Sequence, residues 1–474
     1  MLQRVMNRTN VIWSFESSSL SDELIQKIGN SEVDAVRVVG RVDGFKRLLA
    51  KTDSIKSEVE DQDKIIPVIV DMSKKSRCKV GQKVESQEVL FDQKLEISRE
   101  GKAGALIFES GEWESFFKVG APVYIGRGTA TLVPYEVTPQ LVKVQVSQGG
   151  RIRSGMEAYC PETEPPAQFG DLSPDELQAW VDHKVDCIVT PGFDQAEDLS
   201  KLKKDLRSRS KSPPWMILKV NSEKVFHNLK ALLPYVHGVL ISRLDLAMDM
   251  DPARVPMVTK EVIQLCNARG KLVLVASDIF ASMRHNATPT RAEVSDIANA
   301  AMDGADGVVL SEDLAFGDYA DRGLTLAKKT INDIERRPQF KDSNWNKRTP
   351  EITHTLAAIT FSAYRTAHRN RAKAIVCLTN AGNTALLLAS FRTNIPIIAV
   401  TLSSEVLRRL SLIRGVYGMM LEGAPNIDEV LPLVNDKIVH NTWLSAGDKI
   451  VFVSVSLSSV GEKASNLFTV QTLK

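Results

Sequence analysis

The sequence predicts an α/β fold: a (β/α)8 barrel interrupted by a small inserted β domain and followed by a second α/β domain. Eight short β-branched and apolar runs alternate with stretches of helical periodicity. One connection between these runs is far longer than the others, and further strand-like runs follow the eighth. A doubly wound parallel sheet is the alternative.

The predicted barrel strands are short apolar runs, as expected for strands that are buried on both faces. They are Val11–Phe15, Ala35–Val39, Pro67–Asp71, Cys187–Pro191, Trp215–Val220, Gly238–Arg243, Leu272–Ser277 and Gly307–Ser311. Helical periodicity between the runs predicts helices such as Ser21–Gly29, Pro174–His183 and Arg254–Arg269.

The long connection between the third and fourth runs predicts an inserted domain of short strands, such as Pro122–Ile125 and Leu141–Val146. Polar, Pro-containing segments at 161–174 and 336–350 are typical of linkers. The predicted boundaries are 1–77 and 164–337 for the barrel, 78–163 for the inserted domain and 338–474 for the last domain. In that last domain we expect a helix at Thr353–His368 and strands at Ala374–Leu378, Pro396–Thr401, Tyr417–Leu421, Lys449–Val455 and Leu467–Gln471.

Composition excludes several classes of protein. A length of 474 residues suffices for about three domains, and 43% hydrophobic with 25% charged residues is not the composition of a disordered or fibrous chain. The net charge of +2 predicts no general attraction to nucleic acid or to a membrane. The five cysteines are scattered and form no C-x-x-C pair, which predicts reduced thiols. Polar residues lie throughout Met1–Trp13, where a secretory signal would be apolar, so we expect a cytoplasmic protein.

Chemistry in such a barrel is carried by residues at the carboxyl ends of the strands. Lys219 ends an apolar run, where a lysine is rarely buried without a partner; the alternative is a side chain that extends to the rim. Arg37 lies within a strand and needs an anion, either a ligand or a structural carboxylate such as Asp71. Asp245 is either a metal ligand or half of a surface ion pair with Arg243.

A second candidate site follows the strand Ala374–Leu378. Small polar residues and backbone N–H groups before a helix can hold a phosphate, and here these are Thr379, Asn380, Gly382, Asn383 and Thr384. The alternative is an ordinary turn with an Asn or Thr helix cap.

Several motifs resemble those of pyruvate kinase. They are Asn267-Ala268-Arg269-Gly270-Lys271, Pro289-Thr290-Arg291-Ala292-Glu293, Asp303-Gly304-Ala305-Asp306, Ile395–Thr401 and Arg414-Gly415. The resemblance implies a TIM barrel domain A, an inserted small β-barrel lid domain B and an effector-binding α/β domain C. It also implies phosphoryl transfer from phosphoenolpyruvate to ADP with Mg2+ and K+, and a homo-oligomer, dimer or tetramer, or a hetero-oligomer with a family member.

The resemblance assigns roles to residues that are retained here. It implies Lys219 as the catalytic lysine and Ser277 in place of a substrate-contacting threonine, with Arg37 and Asp245 as further substrate contacts. Asp245 is also implied as a metal ligand, and Asp71 as the remnant of the K+ site.

The family pattern is broken at several other positions. Asn221 replaces the metal-binding glutamate, and an amide holds Mg2+ less well than a carboxylate. Leu244 replaces a glycine beside the metal aspartate. Four further motifs differ: Val39-Gly40-Arg41-Val42, Met72–Arg77, Gly126-Arg127-Gly128 and Glu312–Phe316. We therefore expect Mg2+ binding that is weak or lost, and no bound K+.

Compensating residues are available. Arg41, Lys74 or Lys75 could supply a fixed cation in place of K+, and Asp278 or Asp313 a new carboxylate for the metal. The favoured hypothesis is a pyruvate kinase-like protein with weak or no catalysis, which binds phosphoenolpyruvate or a related anionic metabolite, ADP or ATP, or a family partner. One alternative is an active, K+-independent pyruvate kinase, and another is an enzyme for a different phosphorylated or keto-acid substrate.

Overall fold

The computed structural model describes residues 9–41, 45–62, 64–73, 79–81, 86–98, 106–109, 116–126, 128–154, 156, 158–160, 174–190, 192–337, 355–422, 427–455 and 466–473. Both predicted linkers lie largely outside these ranges, and so do Lys74 and Lys75. Strands and helices are numbered below along the chain.

Eight parallel strands close into a barrel, and their order around it is their order in the sequence. This confirms the predicted (β/α)8 architecture and removes the doubly wound alternative. The strands are β1 Asn10–Glu16, β2 Ala35–Arg41, β3 Val68–Ser73, β13 Cys187–Thr190, β14 Trp215–Val220, β15 Gly238–Ser242, β16 Leu272–Ile279 and β17 Gly307–Leu310.

Helices surround this barrel. They are α1 Asp22–Asn30, α2 Phe45–Asp61, α3 Pro174–Asp182, α4 Ala196–Arg209, α5 Glu223–Leu232, α6 Arg243–Asp249, α7 Val255–Ala268, α8 Arg291–Asp303, α9 Glu312–Ala315 and α10 Ala320–Glu335. Local sequence sets several of their starts. Ser21 caps α1 by accepting the N–H of Leu24, while Thr290 and Glu293 form a capping box on α8.

The inserted domain is rich in strands, as predicted. Its described strands form a seven-stranded sheet and a two-stranded sheet and do not close a barrel of their own. They are β4 Lys79–Val80, β5 Ser86–Val89, β6 Lys94–Ser98, β7 Leu106–Glu109, β8 Val123–Ile125, β9 Ala130–Val137, β10 Leu141–Gln148, β11 Gly150–Arg153 and β12 Ala158–Tyr159.

The C-terminal domain is a five-stranded sheet with order β20-β19-β18-β21-β22, parallel except for the β21–β22 pair. Its elements are α11 Thr355–Arg369, β18 Ala374–Leu378, α12 Asn383–Ser390, β19 Ile397–Thr401, α13 Ser404–Leu410, β20 Val416–Met420, α14 Ile427–Asn441, β21 Lys449–Val455 and β22 Asn466–Thr472. All five strands predicted for this domain are present.

Side-chain alternation along the barrel strands separates two cores. Val11, Trp13 and Phe15 of β1 pack in a cluster with residues of the surrounding helices, whereas Ile12 belongs to the cluster inside the barrel. Because alternate residues of a strand share a face, Ser14 continues the inward series of Ile12. The same spacing directs the side chains of Arg37, Asp71 and Lys219 into the barrel near the carboxyl ends of their strands.

The barrel and the C-terminal domain share a continuous apolar core, which includes Trp215 and Leu272 of the barrel and Ala385 of α12. Ion pairs also cross this junction: Arg408 Nε lies 2.8 Å from Asp186 Oδ1, and an Arg392 guanidinium nitrogen lies 2.7 Å from Asp306 Oδ1. The junction is therefore held by both packing and charge.

Two sequence expectations concern the chain as a whole. Cys160, Cys187, Cys266 and Cys377 are buried and form no disulfide, while Cys78 lies outside the described residues. Among the helices that the structure describes, none combines the length and the apolar character needed to cross a bilayer.

Candidate functional site

A buried arginine organises the carboxyl end of the barrel. The Arg37 guanidinium donates to Asp71 Oδ2 from Nε at 3.0 Å and from a terminal nitrogen at 2.5 Å. Its other terminal nitrogen donates to the Ser14 hydroxyl at 2.8 Å and to Glu312 Oε1 at 3.0 Å. The sequence left open whether Arg37 binds a ligand anion or a structural carboxylate. In the structure it contacts two structural carboxylates, Asp71 and Glu312.

Lys219 joins the same cluster. Its Nζ lies 3.5 Å from Asp71 Oδ2, and its side chain is 17% exposed. Burial acts to raise the pKa of Asp71, but Lys219 and Arg37 outweigh it and the pKa is lowered. Burial likewise opposes the charge of Arg37, and Asp71 and Glu312 overcome it and raise its pKa. We call these four side chains, Arg37, Asp71, Lys219 and Glu312, the barrel-mouth cluster; their formal charges sum to zero.

Ser277 lies on an irregular part of β16. The register between β16 and β17 shifts between Val275 and Ile279, and Ser277 has a left-handed backbone with φ of 89°. Its hydroxyl accepts the backbone N–H of Leu244 at 3.2 Å. Ser277 is thus held by α6, and the backbone donor beside Asp245 is already used inside the protein.

Asp245 lies in the first turn of α6, where its carboxylate accepts the Ser242 hydroxyl at 2.8 Å. Arg243 turns away from it: its guanidinium lies 3.0 Å from Asp296 and donates to the carbonyl of Ser277 at 2.7 Å. The surface ion pair considered between Arg243 and Asp245 is therefore wrong, because Arg243 has partners on β16 and α8.

Asn221 follows β14 and packs against backbone. A Cβ added to Gly192 would come within 1.8 Å of Asn221 Oδ1, so the amide lies directly against the Cα of Gly192. The amide thus occupies a tight position beside the loop that follows β13.

Two sets of residues stand at the positions that the resemblance assigns to cations. At the Mg2+ position Asp245 is a carboxylate, the ligand type that Mg2+ prefers, and Asn221 is a neutral amide. Asp71, at the K+ position, lies beside the cationic side chains of Arg37 and Lys219. Within the described ranges, no group of three or more His, Cys, Asp and Glu side chains could hold a metal ion.

The compensating residues are placed as follows. Asp313 Oδ1 accepts from Arg284 at 2.8 Å, so this carboxylate has a structural partner, and Asp278 is exposed with φ of 55°. Arg41 is the last residue of β2, but its side chain is not among those described. Neither aspartate joins the barrel-mouth cluster.

The predicted phosphate loop of the C-terminal domain is partly buried and partly exposed. Thr379 and Thr384 are buried, and the Thr379 hydroxyl accepts the N–H of Gly382 at 2.8 Å. Asn380 and Asn383 are exposed. Gly382 precedes α12 with φ of 87°, and a Cβ there would come within 2.4 Å of the Trp215 ring. The turn thus rests on the barrel, and its two asparagines face outwards.

Sequence reasoning missed Ser14 as a member of the site and placed Glu312 at the end of a strand without giving it a role. Ser14 lies inside an apolar strand, and a small hydroxyl there gives no signal by itself. Glu312 follows a predicted strand and stands where the family motif has glycine, so a signal existed, but its contact with Arg37 depends on bringing β2 and the end of β17 together.

Comparisons with known proteins agree with this architecture. The model for the pyruvate kinase barrel domain matches residues 6–324, and the model for the pyruvate kinase alpha/beta domain matches residues 357–470. The chain is 25% identical to a pyruvate kinase of Sporosarcina psychrophila and 24% identical to one of Staphylococcus aureus strain USA300, in each case over 95% of this chain and 78% of the relative. The crystal structure of a pyruvate kinase from Cryptosporidium parvum shares the fold, with a TM-score of 0.79 at 21% identity, covering 100% of this chain and 98% of that one. With both domain models matched over most of its length, this chain belongs to the pyruvate kinase family.

Proposed function

We propose that this protein retains an anion site at the barrel mouth but catalyses phosphoryl transfer weakly or not at all, and acts by binding. The ligand is phosphoenolpyruvate or a related anionic metabolite, with or without ADP or ATP. Lys219 and Ser277 are the residues proposed to contact it, beside Arg37 and Asp245.

The observation that carries the proposed loss of efficient catalysis is the ion pair between Arg37 and Glu312. Members of the family bind phosphoenolpyruvate, a polyanion, and such a ligand needs cations that the protein has not already neutralised. Here Asp71 and Glu312 both lie within hydrogen-bonding distance of Arg37. A ligand phosphate at Arg37 must therefore compete with an internal carboxylate.

The substitution at Asn221 supports the same conclusion. Phosphoryl transfer depends on stabilising the negative charge that develops on the transferred group, which the family achieves with Mg2+ and K+. Asn221 lowers the negative charge available to hold Mg2+, so we expect weak or lost Mg2+ binding. Arg37 and Lys219 lie beside Asp71 and would repel a further cation, so we expect no K+ binding. Without those cations, Lys219 alone supplies little of the required stabilisation.

A second candidate is an active, K+-independent pyruvate kinase. The observation that favours it is the pair of fixed cations at Asp71, the family's K+-site aspartate, because Arg37 and Lys219 already provide positive charge there. Arg41, at the end of β2, would add a further cation.

A coupled assay of pyruvate formation from phosphoenolpyruvate and ADP distinguishes the two. It is run with Mg2+ or Mn2+, with and without K+, beside a Lys219→Met control and with circular dichroism to verify folding. We expect no turnover above that of Lys219→Met. Turnover that requires Lys219 and persists without K+ would overturn the proposal in favour of the active enzyme.

Location and assembly complete the proposal. We propose a cytoplasmic protein that forms a dimer or tetramer, or a hetero-oligomer with another member of the family, as the family resemblance implies. Sedimentation of the full chain, alone and mixed with an active pyruvate kinase, measures both kinds of assembly.

A further inference from the structure

The connection from α4 to β14 combines basic residues with serines. It reads Arg207-Ser208-Arg209-Ser210-Lys211-Ser212-Pro213-Pro214, so a hydroxyl recurs at every second position up to Ser212. The residues up to Arg209 end α4, and 210–214 is irregular backbone before β14. Ser208 is exposed, while Ser210 and Ser212 are partly exposed. All three hydroxyls therefore lie in a basic surface segment.

The three serines differ in what they contact. The Ser208 hydroxyl donates to the carbonyl of Asp205 at 2.8 Å, and Ser210 accepts the N–H of Ser212 at 3.0 Å. Both contacts are local to the segment. Ser212 also contacts Arg409 of α13: one terminal nitrogen of the guanidinium donates to its hydroxyl at 3.2 Å, and the other to its carbonyl at 3.1 Å. These contacts join Ser212 to the C-terminal domain.

Arg409 is buried and has hydrogen-bonding capacity left over. The residue is 3% exposed, and nothing in the described part of the chain accepts a hydrogen bond from its Nε. Asp186 is bound by Arg408 at 2.8 Å, and Glu405 accepts the hydroxyl of Ser403 at 2.7 Å. Burial lowers the pKa of Arg409, and Asp186 and Glu405 offset only part of that effect. A further negative charge beside the guanidinium would therefore be stabilised.

The space beside Ser212 suits such a charge. A cavity of about 310 Å3 lies between the barrel and the C-terminal domain, and Ser210 and Ser212 belong to its lining. A larger group on Ser212 therefore has room. Among the lining residues that the structure describes, every charged one is basic: Lys203, Arg207, Lys211 and Arg409.

We propose that Ser212 is a phosphorylation site, and that the phosphoserine is held by Arg409 and links the barrel to the C-terminal domain. The enzyme required is a Ser/Thr protein kinase. Two features of the segment suit the charge and shape selection of such kinases: basic residues lie one, three and five positions before Ser212, and Pro213 follows it. The proposal does not depend on binding at the barrel mouth, so either can fail while the other stands.

The transfer consumes one nucleoside triphosphate. Ser212 Oγ forms a bond to the γ-phosphorus of ATP, and the bond from that phosphorus to the bridging oxygen of the β-phosphate breaks. ADP leaves, and the hydroxyl proton passes to a base of the kinase.

Phosphorylation should strengthen the docking of the two domains. A phosphate brings about −1.5 to −2 charges at pH 7 and three acceptor oxygens. Charge-assisted hydrogen bonds to a guanidinium are about twice as strong as neutral ones. The neutral contact between Ser212 and Arg409 is thereby replaced by an ion pair across the junction, which makes the segment a switch that tightens this junction.

The test uses the full chain with phosphoserine inserted genetically at position 212. Its matched control carries phosphoserine at position 208, which adds the same charge to the same segment without a contact to Arg409. Thermal unfolding and phosphorus NMR are measured for both proteins. An Arg409→Lys version of each keeps the positive charge but loses the planar, forked donor.

We expect phosphoserine at 212 to raise the unfolding temperature by about 2 °C or more over the unmodified protein, and phosphoserine at 208 not to raise it. The phosphate at 212 should also have the lower pKa of the two, because Arg409 favours its dianion. Arg409→Lys should remove most of both differences. Equal unfolding temperatures and equal phosphate pKa values at 212 and 208 would overturn the proposal.

A second experiment tests Ser212 as the acceptor. The unmodified protein is incubated with Mg-ATP and two purified kinases in turn, one that selects basic residues before the serine and one that selects a proline after it. Mass spectrometry then maps the phosphate. We expect it on Ser212, lost in Ser212→Ala and retained in Ser208→Ala. Phosphate only at other positions, or none with either kinase, would exclude Ser212 as the site.

Discussion

The barrel mouth lies at one end of β14, and the cavity of about 310 Å3 between the barrel and the C-terminal domain, which we call the junction cavity, lies at the other end. The two differ in how their positive charges are balanced. At the mouth, Arg37 and Lys219 are balanced by Asp71 and Glu312. At the junction, Arg409 has only neutral hydrogen-bond partners, and the other basic residues of the lining have no carboxylate beside them in the cavity. The two sites were both candidates for binding an anion, yet only one is neutralised from within.

A residue can therefore keep its place in a family motif and still have its charge balanced by a carboxylate of the same chain. The mouth keeps the lysine and arginine that the resemblance assigns to substrate, but carboxylates of the same chain contact or approach both cations. The junction carries no family motif for its cations, and no carboxylate is among the lining residues that the structure describes. Burial lowers the pKa of Arg409, and Asp186 and Glu405 offset only part of that effect. Removing charges at each site therefore has different expected effects, which the following variants measure.

The largest effect on stability is expected from a substitution of Asp71. Asp71→Ala should lower the free energy of unfolding by about 3–5 kcal/mol, because it leaves Arg37 and Lys219 buried without their common partner. Urea unfolding followed by circular dichroism measures it. Arg207→Ala, at the junction, should change stability by less than about 0.5 kcal/mol. Equal effects of the two variants would erase the contrast between the sites.

A substitution at Gly382 measures how much the close contact between the turn before α12 and the Trp215 ring contributes to stability. Gly382→Ala should cost about 1–3 kcal/mol for the left-handed backbone, and more because the new Cβ meets the Trp215 ring. Gly447→Ala is the matched control, since Gly447 has φ of 93° and open space around the added Cβ. The difference in urea midpoint between the two variants isolates the contact with Trp215, and a difference of zero would contradict it.

Glu312 tests whether the mouth is neutralised from within. Glu312→Gln frees Arg37 from one carboxylate, and we expect phosphoenolpyruvate to bind about tenfold more tightly, or by about 1.4 kcal/mol. Calorimetric titration measures this affinity. Asp313→Asn is the control, because Asp313 is the adjacent residue and contacts Arg284 instead. Unchanged affinity in Glu312→Gln would show that the carboxylate does not compete with the ligand.

The smallest expected effect is a pH dependence of stability that arises from His237. Its folded pKa lies below its unfolded pKa of about 6.5, so the unfolded chain binds the proton first as pH falls. Stability should therefore decrease below about pH 6.5, by at most about 1.4 kcal/mol per pH unit until the folded pKa is reached. Urea unfolding at several pH values, compared with His237→Asn, should show a smaller slope in the variant. Identical slopes would remove His237 as the cause.

Much of the fold could be predicted from the sequence because it depends on local patterns. Buried parallel strands require apolar runs, so all eight barrel strands were predicted within a few residues of their observed ends. Helix starts at Ser21 and Thr290 likewise follow from side chains that bond to backbone N–H groups close in sequence. Motif resemblance added the family and identified Lys219, Arg37 and Asp71 as members of one site.

How those residues pair depends on contacts between segments that are distant in the chain. Glu312 is 275 residues from Arg37 in sequence, and their contact arises because the barrel closes β17 against β1 and β1 against β2. Arg243 pairs with Asp296 and not with its neighbour Asp245 for the same reason. The junction cavity depends on the docking of two domains, since Lys203 and Arg409 lie far apart in the chain. Which charges this protein carries, and where its strands lie, follow from the order of its residues. Which of those charges are neutralised follows from proximity in three dimensions, because electrostatic energy depends on distance in space and on burial.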